Sequence, residues 1–259
     1  MSTRAFVSVG DNVAIGGFIV TGNSPKKILV RALGPSLDID GELLDPVLEL
    51  HGPDGFATIT NDDWQQASNA GDIPADLQPK DPRESTILVT LDPGDYTAIV
   101  RGKSNSTGIA LVEIYDAATD NPSQLANLST RALVKTENDV MIGGFIIGGG
   151  GGNSNVIVRA LGPSLADDGI ANVLADPFLD IRNKDGTRLT SNDNWKDDPN
   201  ADKVSQNGVA PSKDLESALY LSLPPGEYTA IVSGANGENG VGLVEIYHLQ
   251  AMAAGARGK

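Results

Sequence analysis

The sequence contains no cysteine, only two histidines, few basic residues and no long apolar run. Among its 259 residues, 19 Lys and Arg stand against 34 Asp and Glu, which gives a formal net charge of −15. Without cysteine, the chain cannot form a disulfide scaffold, a Cys-ligated zinc site, an iron–sulfur cluster or a cysteine nucleophile. The acidic balance disfavours nucleic acid and anionic membranes as partners, because both need a basic face. No apolar run reaches the roughly 18 residues of a membrane-spanning helix.

The most informative feature that is present is an internal duplication. Five blocks of the first half return in the same order in the second half, and their spacing grows slightly along the chain, from 16 and 143 to 111 and 243. Chance does not produce five collinear blocks, so we divide the chain into two homologous copies. The blocks are Gly-Gly-Phe-Ile (16–19, 143–146), Val-Arg-Ala-Leu-Gly-Pro-Ser-Leu (30–37, 158–165), Asn-Asp-x-Trp (61–64, 192–195), Pro-Gly-x-Tyr-Thr-Ala-Ile-Val (93–100, 225–232) and Leu-Val-Glu-Ile-Tyr (111–115, 243–247).

Each copy shows the pattern of a β-sandwich. About eight short apolar or alternating segments are separated by turn residues, and no segment carries a long helical stripe. Tyr96 and Tyr228 follow tight turns at the start of a strand, where a tyrosine can either form a tyrosine corner or simply pack its ring. We predict an all-β fold of two tandem immunoglobulin-like β-sandwich domains. The predicted divisions are 1–12 (N-terminal donor strand and spacer), 13–120 (first domain), 121–139 (linker and inter-domain strand), 140–250 (second domain) and 251–259 (C-terminal tail).

The repeat is out of phase with the chain ends. The strand motif at 129–134 follows the last strand of copy one, and the same motif opens the chain at 2–7. If strand 131–134 completes the domain before it, the front strand is spare and the second domain keeps an open cleft. Strand addition between molecules, head to tail, would satisfy both. The alternative is that each opening strand packs into its own domain, which gives a two-domain monomer.

The five blocks resemble a family of secreted bacterial proteins built from repeats of this domain. The whole chain up to Gln250 is similar to the two-domain protomer of a pilus-like extracellular helical fibre. The resemblance implies donor-strand exchange, in which the N-terminal strand of one protomer completes an immunoglobulin-like domain of another. Carried onto this sequence, the implied donor residues are Thr3, Arg4, Ala5, Phe6, Val7, Ser8 and Val9. Alternation along this segment puts Ala5, Val7 and Val9 on one face, which we expect to be the buried one. A weaker likeness, based on the Pro-Gly-x-Tyr-Thr hairpin, links each copy to calcium-associated sandwich modules of secreted peptidases.

Together these observations predict a structural subunit of an extracellular bacterial fibre. Its partners are other copies of itself, without nucleic acid or a membrane span, and it needs no cofactor. We expect an extracellular location, although the chain shows no signal peptide, so a precursor segment is missing or export takes another route. The alternative function is a secreted module that binds polysaccharide or another surface, with calcium as a possible stabiliser.

Residues that could carry chemistry are sparse. His51 and His248 lie at non-equivalent positions and no Ser/His/Asp pattern recurs, so we expect no enzyme and no catalytic residue. Oxygen-rich loops offer calcium ligands, but solvated turns, in which Asp and Asn cap backbone groups, are the favoured interpretation. Two short matches to the N-glycosylation pattern occur. The calcium candidates are Asp62, Asp63, Asp193 and Asp197, and the glycosylation candidates are Asn105 and Asn127.

Two further pairs of residues recur in both copies. Arg31 and Arg159 lie inside apolar strands, and we predict that they pair with Glu113 and Glu245 on the last strand of each copy; unrelated exposed charges are the alternative. Trp64 and Trp195 follow the Asn-Asp motif. We expect each to cover the end of its core, rather than to stack on a sugar.

Overall fold

The computed structural model describes residues 1–118, 121–148 and 152–249. Over these ranges the chain is all-β, as predicted, with short 3-10 turns and one short α-helix, α1, that the sequence pattern did not indicate. No helix in this part of the chain is long and apolar enough to cross a membrane. The strands are β1 Ser2–Val7, β2 Ala14–Thr21, β3 Lys26–Leu33, β4 Pro46–His51, β5 Ile59–Asn61, β6 Ser85–Leu91, β7 Gly94–Gly102, β8 Gly108–Asp116, β9 Gln124–Val134, β10 Met141–Ile147, β11 Ser154–Leu161, β12 Pro177–Asn183, β13 Arg188–Asn192, β14 Ser217–Leu223, β15 Gly226–Gly234 and β16 Gly240–His248, with α1 at Ala201–Gln206.

The sixteen strands join by antiparallel pairing into one sheet that forms two layers. One layer runs β6-β3-β8-β1-β10-β15-β12-β13, and the other runs β14-β11-β16-β9-β2-β7-β4-β5. A single pairing, between Phe6 and Leu133, links the two layers through β1 and β9. Each layer therefore contains four strands of each copy, and the copies meet at β1 in one layer and at β9 in the other.

One hydrophobic core extends through both copies. It includes Val30 and Leu48 of copy one and Val158 and Leu179 of copy two, all of them fully buried. Alternating burial along most strands puts every second side chain into this core, as expected for strands that are buried on one face. The core is continuous across the repeat boundary, so the division into two immunoglobulin-like domains stays a prediction. The predicted tail, 251–259, and positions 149–151 of the five-glycine insertion lie outside the described residues.

A buried glutamate holds the recurring Gly-Pro-Ser turn. The Glu84 side chain is inaccessible to solvent, and its Oε1 accepts hydrogen bonds from the Gly34 and Ser36 N–H groups, at 3.0 Å each, and from the Ser36 hydroxyl at 2.6 Å. A Cβ on Gly34 would lie 1.9 Å from the Leu43 carbonyl oxygen, so only glycine fits. Glu216 makes the corresponding contacts in copy two. Sequence reasoning missed both glutamates. Each one directly precedes the serine that begins a strand, β6 or β14, and that strand pairs with the strand leading into the Gly-Pro-Ser turn.

The predicted pairing of arginine and glutamate is confirmed in both copies. Arg31 Nε lies 2.9 Å from Glu113 Oε2, between the adjacent strands β3 and β8, and Arg159 Nε lies 2.8 Å from Glu245 Oε2. Arg31 Nη1 also donates to the Leu77 carbonyl at 2.7 Å. These side chains are charge-assisted hydrogen-bond partners, and they tie the long loop after β5 to the sheet.

We expect Glu84→Ala to destabilise the fold by about 2–4 kcal/mol, because it leaves buried N–H donors of Gly34 and Ser36 without an acceptor. Glu216→Ala should cost a similar amount, and Glu84→Gln less, since its amide oxygen still accepts. Chemical denaturation followed by fluorescence of the two tryptophans measures these changes. Glu227→Ala, at an exposed glutamate, is the matched control, and an equal effect of Glu227→Ala and Glu84→Ala would contradict the assignment.

Candidate functional site

The N-terminal strand β1 lies between strands of the two copies. On one side it pairs along its whole length with β8 of its own copy, and Thr3 faces Val112 there. On the other side residues 2–4 pair with β10 of copy two, and Thr3 faces Gly143. Both hydrogen-bonding edges of this half of β1 are therefore occupied within the chain.

Strand β9 occupies the equivalent position in the other layer. It pairs with β16 of its own copy, where Thr130 faces Val244, and with β2 of copy one, where Thr130 faces Gly16. Thr130, Val244 and Gly143 are the repeat counterparts of Thr3, Val112 and Gly16. The registers of the two opening strands are thus the same, and each one bridges its own copy and the other copy.

The two bridging strands meet at a buried pair of threonines. The Thr130 hydroxyl donates to the Thr3 hydroxyl at 2.9 Å, and the two residues are 2% and 1% exposed. Because β1 and β9 are antiparallel neighbours at Phe6 and Leu133, equivalent groups face each other across an approximate twofold axis. The polar groups at this centre are satisfied by each other, as burial requires.

The recurring Gly-Gly pair makes room for the bridging strands. A Cβ on Gly17 would lie 2.5 Å from the Ser129 hydroxyl oxygen, and a Cβ on Gly144 would lie 2.7 Å from that of Ser2. Both contacts join a glycine of one copy to the opening strand of the other. The Gly-Gly pair of the repeat motif is therefore required for close packing where the opening strand of one copy pairs with the other copy.

The expectation of a spare front strand is wrong for the single chain. Thr3, Ala5 and Val7 are buried in the common core, at 1%, 2% and 0% exposure, and Phe6 is covered by Lys135, whose Nζ lies 3.8 Å from the ring centroid. At residues 142–144 the edge of the second copy is not vacant, because β1 itself pairs with these residues of β10. The physical reason is that an intrachain partner satisfies the strand edge without the association of a second molecule.

The predicted donor extends two residues beyond the observed strand. β1 ends at Val7, Ser8 donates its N–H to the Asn12 carbonyl at 2.9 Å, and Val9 is 45% exposed. Val9 was expected on the buried face with Ala5 and Val7, and this is wrong because the chain turns before it. Gly10 has φ +63°, a conformation that favours glycine, and there is open space where a Cβ would lie. Residues 8–13 thus form a tight turn between β1 and β2.

Three aspartates of copy one come together beside strand β4. Carboxylate oxygens of Asp45, Asp62 and Asp63 lie within 4.8 Å of one another. The Lys103 ammonium lies 2.7 Å from Asp62 Oδ2 and 3.6 Å from Asp45 Oδ2, so a cation of the chain already neutralises part of this charge. Sequence reasoning found Asp62 and Asp63 but missed Asp45. The pattern that could have identified Asp45 is an Asp-Pro pair at 45–46 that recurs at 176–177.

The equivalent site in copy two has acidic residues but no lysine. Burial raises the pKa of the Asp176 carboxyl above its usual range, and the negative charges of Asp193 and Glu238 raise it further. The position of Lys103 is taken by Ala235, so the acids of this copy lack that cation. Asp197 does not join them in the described contacts; it accepts a hydrogen bond from the Asn194 side chain at 3.4 Å.

We expect Lys103→Met to make the stability of the protein calcium-dependent, because it leaves the three carboxylates of copy one without their cation. Millimolar calcium should raise the melting temperature of this variant more than that of the parent chain, in scans with and without a chelator. Lys196→Met, which removes an ion pair with the exposed Asp214, is the control. Equal calcium responses of all three proteins would show that the cluster does not bind the ion.

We expect Asp176→Asn to stabilise the fold at neutral pH, by about 0.5 kcal/mol. The folded-state pKa of Asp176 is raised, so its ionised form disfavours folding and the gain from removing the charge is present at neutral pH. As the pH falls through that pKa the parent carboxyl is protonated, and the advantage of the variant disappears. Asp45→Asn is the control with a smaller gain, because it also loses the contact with Lys103. A pH-independent difference between Asp176→Asn and the parent would contradict this.

The remaining sequence candidates lie in different surroundings. Asn105 is exposed on the turn between β7 and β8, whereas Asn127 lies within β9, with its Oδ1 buried and without a hydrogen-bond partner among the described residues.

Trp64 is 9% exposed and packs with Leu29, Ile73 and Leu88 in a small outer cluster; Trp195 is half-buried in the corresponding cluster of copy two. The two indoles therefore cover small apolar clusters outside the common core, whereas the expectation was that they cover the end of the core itself.

Comparisons with known proteins add little to this picture. No protein-family model matches the chain, and no curated protein matches it. Among solved structures, the chain is similar to the crystal structure of the STIV major capsid protein, with 14% identity over 95% of each chain and a TM-score of 0.27. At that TM-score the similarity supports no conclusion about this chain.

Proposed function

We propose that this protein is a structural subunit of a pilus-like extracellular fibre, and that its subunits are linked by exchange of the N-terminal strand. The observation that carries the proposal is that β1 and β9 bridge the two copies in the same register. A strand that pairs with its own unit and also with the neighbouring one is thus already used twice inside a single chain. Donation of β1 to another molecule extends the same interaction between chains.

The site for the donated strand lies between β8 and β10 of one chain. If β1 of a neighbour takes this position, it can form the same backbone pairs with residues 108–113 and 142–144 that the chain's own β1 forms. Ala5 and Val7 of the donor would fill the same places in the core. Exchange therefore preserves the contacts of the strand, and the main difference between closed monomer and open polymer is the conformation of the 8–13 turn.

Two hydrogen bonds support the immunoglobulin-like interpretation of each copy. The Tyr96 hydroxyl donates to the Asp92 carbonyl at 2.9 Å, and the Tyr228 hydroxyl donates to the Pro224 carbonyl at 2.8 Å. A tyrosine that bonds back to backbone just upstream of its strand is the tyrosine corner found in immunoglobulin-like sandwiches. In this proposal each copy is one such sandwich, and the two share their opening strands.

The absence of cysteine is consistent with a polymer held by strands. Such a subunit relies on backbone hydrogen bonds and buried apolar side chains, whose contribution does not depend on the redox state of the surroundings. The net charge of −15 keeps laterally adjacent surfaces apart by repulsion.

We expect that Arg4→Cys combined with Leu111→Cys reports directly on the exchange. The two residues are opposite each other in the β1–β8 register and both are partly exposed, so a disulfide can form across them. In exchanged fibres, mild oxidation should join the thiol at position 4 of one subunit to the thiol at position 111 of the next, and give a covalent ladder on a denaturing, non-reducing gel. Arg4→Cys alone, which has one thiol per chain, is the control that cannot give a ladder beyond dimers.

Fibres of the double variant that dissolve into monomers with an internal disulfide would overturn the exchange. A chain that lacks residues 1–9 and still forms the same fibres in electron micrographs would overturn it as well. Discrete particles with affinity for a glycan or for calcium would instead favour the alternative function of a surface-binding module.

A further inference from the structure

The interface between the two copies is built from the same residues on both sides. At this copy–copy interface, residues 2–4 pair with 142–144, and residues 129–131 pair with 15–17. Both strand segments read Ser-Thr-Arg, and both edges read Ile-Gly-Gly. In both pairs the serine faces the second glycine, the threonine faces the first glycine and the arginine faces the isoleucine. Each copy therefore presents the other with an identical strand and an identical edge.

The centre of the copy–copy interface does not distinguish the two copies either. The Thr130 and Thr3 hydroxyls are joined by a hydrogen bond of 2.9 Å. A hydroxyl both donates and accepts, so two Thr3 side chains, or two Thr130 side chains, can form the same bond. Selection of one partner over another requires a contact that penalises the alternative, and none of the residues at this centre supplies one.

One contact beside the interface favours pairing within the chain. The Lys135 ammonium of copy two lies 3.8 Å from the centre of the Phe6 ring of copy one. The counterparts of these residues are Ser8 and Leu133, which cannot form a cation–π contact. Two first copies that met at this interface would lose the lysine contact and keep the backbone pairs of residues 2–4. The preference of copy one for copy two is therefore modest.

The opening strand β1 is held more extensively by its own copy than by the other. It pairs with β8 of copy one along residues 2–7, but with β10 of copy two only at residues 2–4. Separation of the two copies therefore breaks fewer backbone pairs when β1 stays on β8.

An irregularity in β9 gives the chain a place to bend between the copies. The register of β9 with β2 shifts between Phe18 and Val20, which marks a β-bulge at residues 126–127. Ahead of the bulge, the Ser123 hydroxyl donates to the Ser24 carbonyl at 2.7 Å and fixes the connection to copy one. A bend at the bulge would leave this connection on copy one and carry the rest of β9 away with copy two.

We propose that the copy–copy interface is also the site at which a second chain binds, with copy one on copy one and copy two on copy two. Each opening strand stays on β8 or β16 of its own copy and changes only its other partner, so that β1 of one chain pairs with β2 of the second. The contact is isologous, and Thr3 bonds to Thr3 of the second chain across a true twofold axis. This association does not depend on the proposed fibre, in which β1 leaves the β8 of its own chain.

The test is a disulfide that only this pairing forms. Arg4→Cys with Ile15→Cys places thiols that would face each other between chains, as Arg131 faces Ile15 within the chain. In the closed chain, residues 4 and 15 lie on the outer faces of different layers. In the proposed strand exchange, position 4 faces 111 and 142 instead. We expect mild oxidation of concentrated protein to give dimers linked between positions 4 and 15, which mass spectrometry of a digest identifies.

Protein concentration and two controls make the result specific. While the linked fraction is small, it should rise about tenfold for a tenfold rise in concentration, because association of two chains follows mass action. Ile15→Cys with Arg131→Cys is the positive control, whose internal disulfide forms at any concentration. Arg4→Cys with Ile99→Cys is the matched negative control, since Ile99 is half-buried like Ile15 and lies opposite it on β7, one strand farther from the interface.

Arg131→Cys with Ile142→Cys reports the pairing of two second copies in the same way, so that a folding defect in one variant leaves the other to decide. A folded variant of either kind that gives no linkage between chains, where the positive control closes, would overturn the proposal. Equal yields from the 4/15 and 4/99 variants would overturn it as well. A ladder between positions 4 and 111 without any 4/15 linkage would support strand exchange and reject this inference, so the two fail separately.

Discussion

The fold depends on two strands, β1 and β9, whose backbone N–H and C=O groups need hydrogen-bond partners on both edges of the strand. A buried strand edge with free N–H and C=O groups is costly, because each unpaired group loses its bonds to water. In this chain each opening strand finds one partner in its own copy and one in the other copy. The two layers, the common core and the approximate twofold arrangement all follow from this double pairing.

Close approach at the bridging strands explains the character of the motifs there. The glycines at 17 and 144 face serines of the opposite opening strand, and the threonines at 3 and 130 bond to each other at the centre. Small residues allow the strands to pack closely. The two threonine hydroxyls are buried at this centre and satisfy each other by their hydrogen bond. In the proposed exchange, an identical strand from another chain would make these same contacts.

The duplication also shows where the two copies have diverged. The buried glutamate turn, the arginine–glutamate pair and the tyrosine corner are present in both. Of the two, copy one alone has the lysine beside the aspartate cluster, and among the described strands the edge of β2 is covered further than that of β10. The shared features are those on which folding depends, and the differing ones lie at edges and surfaces, where a substitution leaves the core intact.

Four features could be predicted from the residues alone, because they follow from local periodicity and from recurrence of the same residues: the duplication, the all-β class, the alternation that buries Ala5 and Val7, and the pairing of Arg31 with Glu113. Three other features became visible only in the folded chain: which edges the opening strands complete, that Asp45 joins Asp62 and Asp63, and that Glu84 closes the turn at Gly34. These choices depend on residues far apart in the chain that meet only after the layers form. Periodicity specifies which face of a strand is buried, but the partner on each edge is set by the packing of the whole molecule.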